Sequence, residues 1–219
     1  MHSFTEENYL KVIFRIIEEK KEKATTSAIA ESLETNASSV TDMLKKLADK
    51  ALIHYEKYQA VTLTEPGKEI AVRIIRKHRL WEVFLVKELG YRWDQVHAIA
   101  EQLEHIQSED LIDRLESFLS YPETDPHGDP IPDKKGQWRA VPSIALLDGE
   151  VDVPYQMKGI TDHSTAFMQY LDKIRLSIGD QLTVLERIEY DQSLHLVINR
   201  DRKLFLSKEV AKNILVRAI

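Results

Sequence analysis

A proline-rich stretch near the middle of the chain limits most strongly how this sequence can fold. Residues 121–136 read YPETDPHGDPIPDKKG and hold four of the seven prolines and two of the seven glycines of the 219-residue chain. Proline has a fixed φ and no backbone N–H, so neither a helix nor a central strand can run through this stretch. The sequence therefore predicts a linker, at 121–140, between a helical N-terminal part and a β-rich C-terminal part.

Composition excludes several classes of protein. There is no cysteine, so disulfides, zinc–thiolate sites and thiol nucleophiles are excluded. No apolar run approaches the roughly 20 residues that a membrane-spanning helix needs. We therefore expect a cytoplasmic protein that has no membrane partner. The formal net charge of −6 weighs mildly against a nucleic-acid partner.

The first 72 residues nevertheless have the order of elements of a winged helix-turn-helix. Apolar residues at helical spacing between Glu6 and Lys20, with Thr5 as N-cap, predict a first helix. A short helix at 27–33 capped by Thr26, a turn at 34–36 and a helix opening at Ala37 predict the helix-turn-helix itself. Two β-prone runs, at 52–55 and 60–63, predict a hairpin wing. We expect a DNA-binding domain over residues 1–72.

Small hydroxyl residues and lysines occupy the positions where such a domain meets DNA. Hydroxyl side chains at the start of the second helix can contact base edges and phosphates, and cationic side chains can contact the backbone. Each of these residues is also explained by helix capping or by a solvated surface. The candidates are Ser27, Ser38, Ser39, Thr41, Lys45, Lys46, Lys57 and Tyr58.

Residues 73–120 form a helical segment. Thr64 opens a long helix that runs to Leu89 before Gly90, and further helices are predicted at 93–106 and 109–119. Their apolar stripe can bury against a second copy of the chain or complete the core of a single chain. We expect the first, a homodimer. The stripe is Leu80, Phe84, Leu85, Leu89, Ile99, Leu103, Leu111, Ile112 and Leu115.

Histidines and glutamates recur at helical spacing in the same segment. At about 100° per residue, the side chains of His97, Glu101, Glu104 and His105 fall within roughly 100° of one another on a helix. Upstream, His78 and Glu82 are four residues apart. Imidazoles with carboxylates suit a divalent metal ion, although the same spacing also occurs on solvated helix surfaces.

Beyond the linker the chain becomes β-rich. Apolar or alternating runs at 181–186, 194–198 and 203–206 lie between turn residues, with short helices predicted at 165–171 and 207–213. Short strands at this spacing suggest a small barrel. We expect a separate domain over residues 141–219.

Six short motifs stand out along the chain: Ala37-Ser-Ser-Val-Thr41, Tyr55-Glu-Lys-Tyr58, Leu63-Thr-Glu-Pro-Gly67, Arg76-Lys-His-Arg-Leu80, Glu101-Gln-Leu-Glu-His105 and Asp125-Pro-His-Gly-Asp-Pro-Ile-Pro132. They occur in the order found in the diphtheria toxin repressor and manganese transport regulator family, which the whole chain resembles. The resemblance implies an α+β protein with a winged helix, an all-α dimerisation domain and a C-terminal SH3-like domain of the FeoA type. It implies a repressor, not an enzyme, that controls metal-uptake genes by binding a palindromic operator as a homodimer, with Mn(II) as co-repressor or, as the alternative, Fe(II).

The resemblance also implies two metal sites. One uses His78, Glu82 and His97, with Asp162 or His163 as a further ligand from the C-terminal domain. The other, the activating site, uses Glu101, Glu104 and His105 with Asn8 from the first helix.

The sequence departs from both branches of the family in the first helix. Asn8 replaces the Met of the iron branch and the Asp of the manganese branch. Lys11 brings a cation where some manganese regulators have Glu, which argues against a tightly coupled binuclear centre. A carboxylate at Glu101, where the iron branch has Cys, favours the harder Mn(II).

Three other functions remain open at this point. A metal-dependent enzyme would need a general base or a nucleophile beside the histidines, and the sequence has no Gly-rich loop or nucleophile elbow. A winged-helix regulator without metal would sense an organic ligand. An interaction module would be built around the C-terminal barrel.

Overall fold

The computed structural model describes residues 2–138 and 142–219, which group into two compact units. The first unit comprises the described residues of 1–81, 100–117 and 132–138. The second comprises those of 82–99, 118–131 and 139–219. The predicted boundary between linker and C-terminal domain, at 140/141, lies outside the described residues. The bounds of the predicted domains therefore stay predictions.

The first unit contains the predicted winged helix-turn-helix. Ser3 caps its first helix with a capping box to Glu6, so the prediction of Thr5 as N-cap was wrong. Thr25, not Thr26, caps the second helix, and Asn36 caps the third. The elements are α1 (Phe4–Phe14), which continues as a π-helical turn (Arg15–Glu19), α2 (Thr26–Ser32), α3 (Ala37–Asp49), β1 (Ile53–His54), β2 (Thr62–Leu63) and the first part of α4 (Glu65–Lys87).

An apolar core holds these helices together. Leu10 and Ile13 of α1 are fully buried in the same core as Val40 and Leu44 of α3, and the burial of each stabilises the fold by roughly 1.5–3 kcal/mol. The wing packs closely on the start of α4. A Cβ atom on Gly67 would lie 1.9 Å from the carbonyl oxygen of Leu52, so only glycine fits there.

The helical segment differs from its prediction at one place. Helix α5 covers only His97–Leu103, whereas a helix was expected over 93–106. Residues 92–94 are instead held by contacts within the second unit: Trp93 Nε1 and Arg92 bind Asp172, and Asp94 accepts a hydrogen bond from Gln169. These tertiary hydrogen bonds outweigh the local helix propensity. Helix α6 (Glu109–Phe118), capped by Ser108, agrees with the prediction.

The second unit is built on an antiparallel sheet of six strands in the order β3–β8–β4–β5–β6–β7. Its inward side chains, such as Met157, Leu182 and Leu196, are fully buried, and Met168 and Leu171 of a helix pack against them. The β-rich C-terminal half is therefore confirmed. The elements are β3 (Ile144–Ala145), β4 (Pro154–Ile160), α7 (Thr165–Lys173), β5 (Gln181–Arg187), β6 (Leu194–Ile198), β7 (Arg202–Leu206), α8 (Lys208–Ala211) and β8 (Ile214–Ala218).

None of the helices in the described part of the chain is both long enough and apolar enough to cross a membrane.

Buried charge connects α1 to α3 in the first unit. The carboxylate of Glu6 is 1 % exposed, and its Oε1 lies 2.9 Å from Nζ of Lys46 and 2.7 Å from Nζ of Lys50. Burial by itself raises the pKa of Glu6, but the hydrogen bonds from Lys50 and Lys46 outweigh it and lower the pKa from 4.5 to about 2. The folded state therefore holds this carboxylate ionised.

Replacing Glu6 is expected to destabilise the protein in a pH-dependent way. Because the pKa is lowered on folding, the stabilisation is present above about pH 4.5 and is lost as the pH falls toward 2. We expect Glu6→Gln to lower the free energy of unfolding near pH 7 by about 1–3 kcal/mol, with the difference shrinking below pH 4.5. Urea unfolding followed by circular dichroism measures this.

The control for this prediction is Asp42→Asn, which removes the exposed 3.4 Å ion pair with Lys45 on α3 and should change stability far less. A loss in Glu6→Gln that is equal at pH 3 and pH 7 would contradict the ionic account.

Candidate metal centre

Two carboxylates and one imidazole converge in the interior of the second unit. Glu82 comes from the last turns of α4, and Asp125 and His127 come from the proline-rich stretch. All three are buried, and each offers one ligand atom within 4.8 Å of the others. We call Glu82, Asp125 and His127 the linker cluster.

A tight turn in the proline-rich stretch positions the last two residues. Oδ1 of Asp125 accepts hydrogen bonds from the backbone N–H of His127 (2.8 Å) and of Asp129 (3.0 Å). Gly128 has φ +94°, and a Cβ there would lie 2.2 Å from the carbonyl oxygen of Lys158 on β4. The turn is thus fixed against the sheet by its own sequence.

The His127 ring has a defined orientation. Its Nε2 lies 2.9 Å from the carbonyl oxygen of Trp93, which can only accept, so Nε2 carries a hydrogen and donates it. The opposite atom, Nδ1, faces the carboxylates, at 3.6 Å from Glu82 Oε2 and 3.9 Å from Asp125 Oδ1. In metalloproteins, a histidine that binds a metal through one ring nitrogen is usually anchored in this way through the other.

The two carboxylates of the linker cluster favour the protonated form of the His127 imidazole. Burial lowers the pKa of His127, but the hydrogen bonds and charges of Asp125 and Glu82 overcome this and raise it to about 11. The two buried carboxylates therefore need a cation beside them. The carboxylate oxygens of Glu82 and Asp125, together with Nδ1 of His127 in its deprotonated form, are donors that suit a divalent ion.

Two further histidines lie at the edge of the cluster. Nδ1 of His97, which is half exposed, is 3.4 Å from Glu82 Oε1, so the structure brings together two residues of the predicted site. The His163 ring centroid lies 5.4 Å from that of His127, and His163 Nε2 is 3.6 Å from Asp129 Oδ2. Asp162 is engaged locally, because its Oδ1 accepts the N–H of Ser164.

The predicted activating site lies in the first unit and contains the cation of Lys11. Nζ of Lys11 donates to Oε1 of Glu104 at 2.6 Å and to Oε1 of Glu101 at 3.3 Å. Lys11 is 2 % exposed and Glu104 is fully buried. We call Lys11, Glu101, Glu104 and His105 the lysine cluster.

Other side chains engage the remaining donors of the lysine cluster. Glu104 Oε2 lies 2.6 Å from His78 Nδ1, so the structure pairs His78 with Glu104. Burial raises the pKa of Glu104, whereas the hydrogen bond from His78 and the charge of Lys11 lower it below its usual value. His105 Nδ1 lies 2.6 Å from Glu7 Oε2.

As folded here, the lysine cluster does not fit a metal ion. A divalent cation in contact with Glu104 Oε1 would stand next to the Lys11 ammonium, and two like charges at such a distance repel strongly. Of the predicted ligands, Asn8 is oriented inward: within the described part of the chain its Oδ1 is buried and has no hydrogen-bond partner.

The predicted DNA-contacting residues lie on the surface of the first unit, but several are engaged locally. Ser38 donates to the Asn36 cap, Thr41 donates to the Ala37 carbonyl, and Lys46 pairs with Glu6. The others are exposed, with Lys57 placed over the Tyr58 ring at 4.9 Å. The exposed residues are Ser27, Ser39, Lys45, Lys57 and Tyr58.

Sequence reasoning missed Asp125 and His127 as candidate ligands. Both stand in a motif that carried the family resemblance, yet the prolines around them pointed only to a linker. The available signal was an Asp-x-His-x-Asp pattern at 125–129, since a linker has no structural need for a histidine between two aspartates.

Comparison with known families covers most of the chain in three matches. Residues 1–61 match the iron dependent repressor, N-terminal DNA binding domain. Residues 64–133 match the iron dependent repressor, metal binding and dimerisation domain. Residues 144–218 match the FeoA domain.

Individual relatives match a little more than half of the chain. The HTH-type transcriptional regulator MntR of Oceanobacillus iheyensis is 38% identical over 115 residues, which is 52% of this chain and 77% of that protein. The iron-dependent repressor IdeR of Mycobacterium bovis is 37% identical over 128 residues, or 58% of this chain. That match spans only 55% of the mycobacterial protein, about half of its length.

A solved structure matches nearly the whole chain. It is a manganese-dependent transcriptional repressor in complex with manganese, with 36% identity and a TM-score of 0.86, covering 98% of this chain and all of that one. These matches are consistent with the winged helix and with the buried carboxylate–histidine cluster. The chain belongs to the diphtheria toxin repressor and manganese transport regulator family of metal-dependent transcriptional repressors.

Proposed function

We propose that this protein is a transcriptional repressor whose affinity for DNA depends on Mn(II) bound at the linker cluster. It acts in the cytoplasm, as a homodimer on a palindromic operator of metal-uptake genes. The observation that carries the proposal is the buried pair Glu82 and Asp125 facing Nδ1 of His127. Two carboxylates buried together are stable only beside a cation.

The residues of the linker cluster have separate roles in holding the ion. Glu82 and Asp125 supply charged oxygen donors, and His127 supplies a nitrogen that its Nε2–H bond to Trp93 keeps in register. His97, at 3.4 Å from Glu82, and His163, whose ring borders that of His127, are the candidates for further ligands. When bound, the ion supplies the positive charge that the His127 proton supplies without it.

The donor chemistry favours manganese, with Fe(II) as the alternative. Every candidate donor is oxygen or nitrogen, and the chain has no thiolate to select a softer metal. Relatives named as manganese regulators and a manganese-dependent repressor structure support Mn(II). The relatives named iron-dependent repressors keep Fe(II) open.

Exposed apolar side chains support the homodimer. In the second unit Leu89, Phe118 and Tyr121 are each more than half exposed, and contact with a second copy would remove their apolar surface from water. A symmetric dimer would also present two copies of α3 to half-sites about 34 Å apart.

The direct test of the function is the effect of metal on DNA binding. We expect Mn(II) to raise the affinity of wild-type protein for a palindromic operator, selected from random DNA, by about 10- to 100-fold over chelator, the usual size of such coupling. Glu82→Gln should remove this response, because it deletes one charged ligand. Fluorescence anisotropy with labelled operator measures both.

The matched control is Glu88→Gln, which changes an exposed carboxylate six residues further along the chain and should keep the full response. Equal operator affinity in chelator and in Mn(II) would contradict the proposal. A larger response to Fe(II) than to Mn(II) would favour the iron alternative.

A second prediction concerns the exposed face of α3. Lys45 is 61% exposed and pairs at 3.4 Å with Asp42, which is itself exposed, so its ammonium is available to a phosphate. We expect Lys45→Gln to weaken binding to operator and to unrelated DNA alike, and to reduce the salt dependence of binding by about one unit of slope per site contacted.

Lys203→Gln, on the exposed side of β7, serves as the control for Lys45 and should leave the salt slope unchanged. The prediction would be wrong if both variants changed the slope equally, since the effect would then come from net charge alone.

A further inference from the structure

Lys11 is one of the most completely buried cations of the first unit. Its side chain is 2 % exposed, and its ammonium contacts carboxylate oxygens of Glu104 and Glu101. Burying an ammonium is costly unless charged partners surround it. Glu104 supplies such a partner at 2.6 Å and is itself fully buried, so each charge depends on the other.

The surrounding groups are those that would otherwise surround a divalent ion. Glu104 and Glu101 offer carboxylates, His105 Nε2 lies 3.8 Å from Glu104 Oε1, and Asn8 holds a buried amide oxygen one turn before Lys11 on α1. The cation at their centre belongs to the chain and cannot dissociate.

We propose that the Lys11 ammonium permanently takes the place of a metal ion in the lysine cluster, so that each chain binds one exchangeable divalent ion, at the linker cluster. This inference rests on the proposed function for the identity of that one ion. Whichever ion the linker cluster binds, the lysine cluster is closed to metal by a residue of this chain.

If the lysine cluster is closed to metal, metal binding does not control the packing of α1. Lys11 on α1 pairs with Glu101 on α5 and with Glu104 just after it, and Glu7 on α1 pairs with His105. These ties between α1 and the end of α5 exist in the absence of metal. The packing of α1 in the first unit is therefore set before any ion binds, and metal concentration is sensed at the linker cluster alone.

The experiment is a count of bound Mn(II) per full-length chain by equilibrium dialysis, with thermal stability in chelator as a second readout. Wild type should bind about one ion per chain. Lys11→Gln removes the ammonium from Glu101 and Glu104 and leaves these carboxylates near His105 with no cation of the chain beside them, so it should bind about two. It should also lose stability in chelator and regain more of it on adding Mn(II) than wild type does.

The matched control is Lys77→Gln. Lys77 is also 2 % exposed, and its ammonium donates to the carbonyl oxygen of Ile106 at 3.0 Å, outside the lysine cluster. This variant should lose stability in chelator as Lys11→Gln does, yet keep about one ion per chain. It separates the loss of a buried cation from the opening of a site.

Glu104→Gln tests the inference without removing Lys11. The Glu104→Gln variant should bind as many ions per chain as wild type, because Glu104 binds the Lys11 ammonium and not a metal. A Lys11→Gln variant that is folded by circular dichroism and still binds the wild-type number of ions would overturn the inference. So would a wild-type chain that binds two ions and loses one in Glu104→Gln.

Failure of the proposed function gives a different result. Glu82→Gln is expected to bind no ion, and the double variant Lys11→Gln/Glu82→Gln is expected to bind about one. If Glu82→Gln keeps the wild-type count, the linker cluster is not the metal site, whatever Lys11→Gln shows. If only the Lys11→Gln count is unchanged, the linker cluster stands and the lysine cluster inference is wrong.

Discussion

The pairing of buried charges on helix α1 is the interaction on which the first unit depends. Glu6, Glu7 and Lys11 lie within two turns of each other, and all three are buried in addition to the apolar residues of α1. Each has a partner from another part of the first unit: Glu6 with Lys46 of α3 and Lys50 just after it, Glu7 with His105, and Lys11 with Glu104. Because an unpaired buried charge costs several kcal/mol, the three pairs admit one placement of α1 and few others.

The same constraint explains the second unit's linker cluster. Glu82 and Asp125 are buried together, which requires a cation, and His127 lies where it can provide one or give way to one. The two clusters therefore differ in whether the cation can leave. In the lysine cluster it is covalently part of the chain, and in the linker cluster it is a proton that a metal ion can replace.

Much of the fold follows from local sequence signals. Hydroxyl and amide residues before α2 and α3 predict the starts of these helices. Alternating apolar residues predict β5 to β7, and the proline-rich stretch predicts a segment without helix or central strand. Strands β4 and β8 were not predicted individually, because β4 begins with Pro154 and contains Gly159, and its pairing with β8 is visible only in three dimensions. The short α5 was missed for the same reason, since Asp172 and Gln169, which hold the residues before it, are remote in sequence.

The candidate site was predictable only in part. Helical spacing grouped Glu101, Glu104 and His105, and the resemblance flagged Lys11 as a departure, but no local signal shows that its ammonium reaches Glu104 across 93 residues of chain. His78 Nδ1 lies 2.6 Å from Glu104 Oε2, a pairing that helical spacing does not indicate. The roles of Asp125 and His127 depend on a turn docked on β4, which the prolines alone do not indicate.

The measurement that tests this account most directly is a crystal structure of the full chain grown with Mn(II), with anomalous scattering recorded at the manganese edge. The account predicts an anomalous peak in contact with Glu82, Asp125 and His127 and none between Lys11 and Glu104. A peak in contact with Glu104, with Lys11 displaced, or the absence of a peak at the linker cluster, would contradict it.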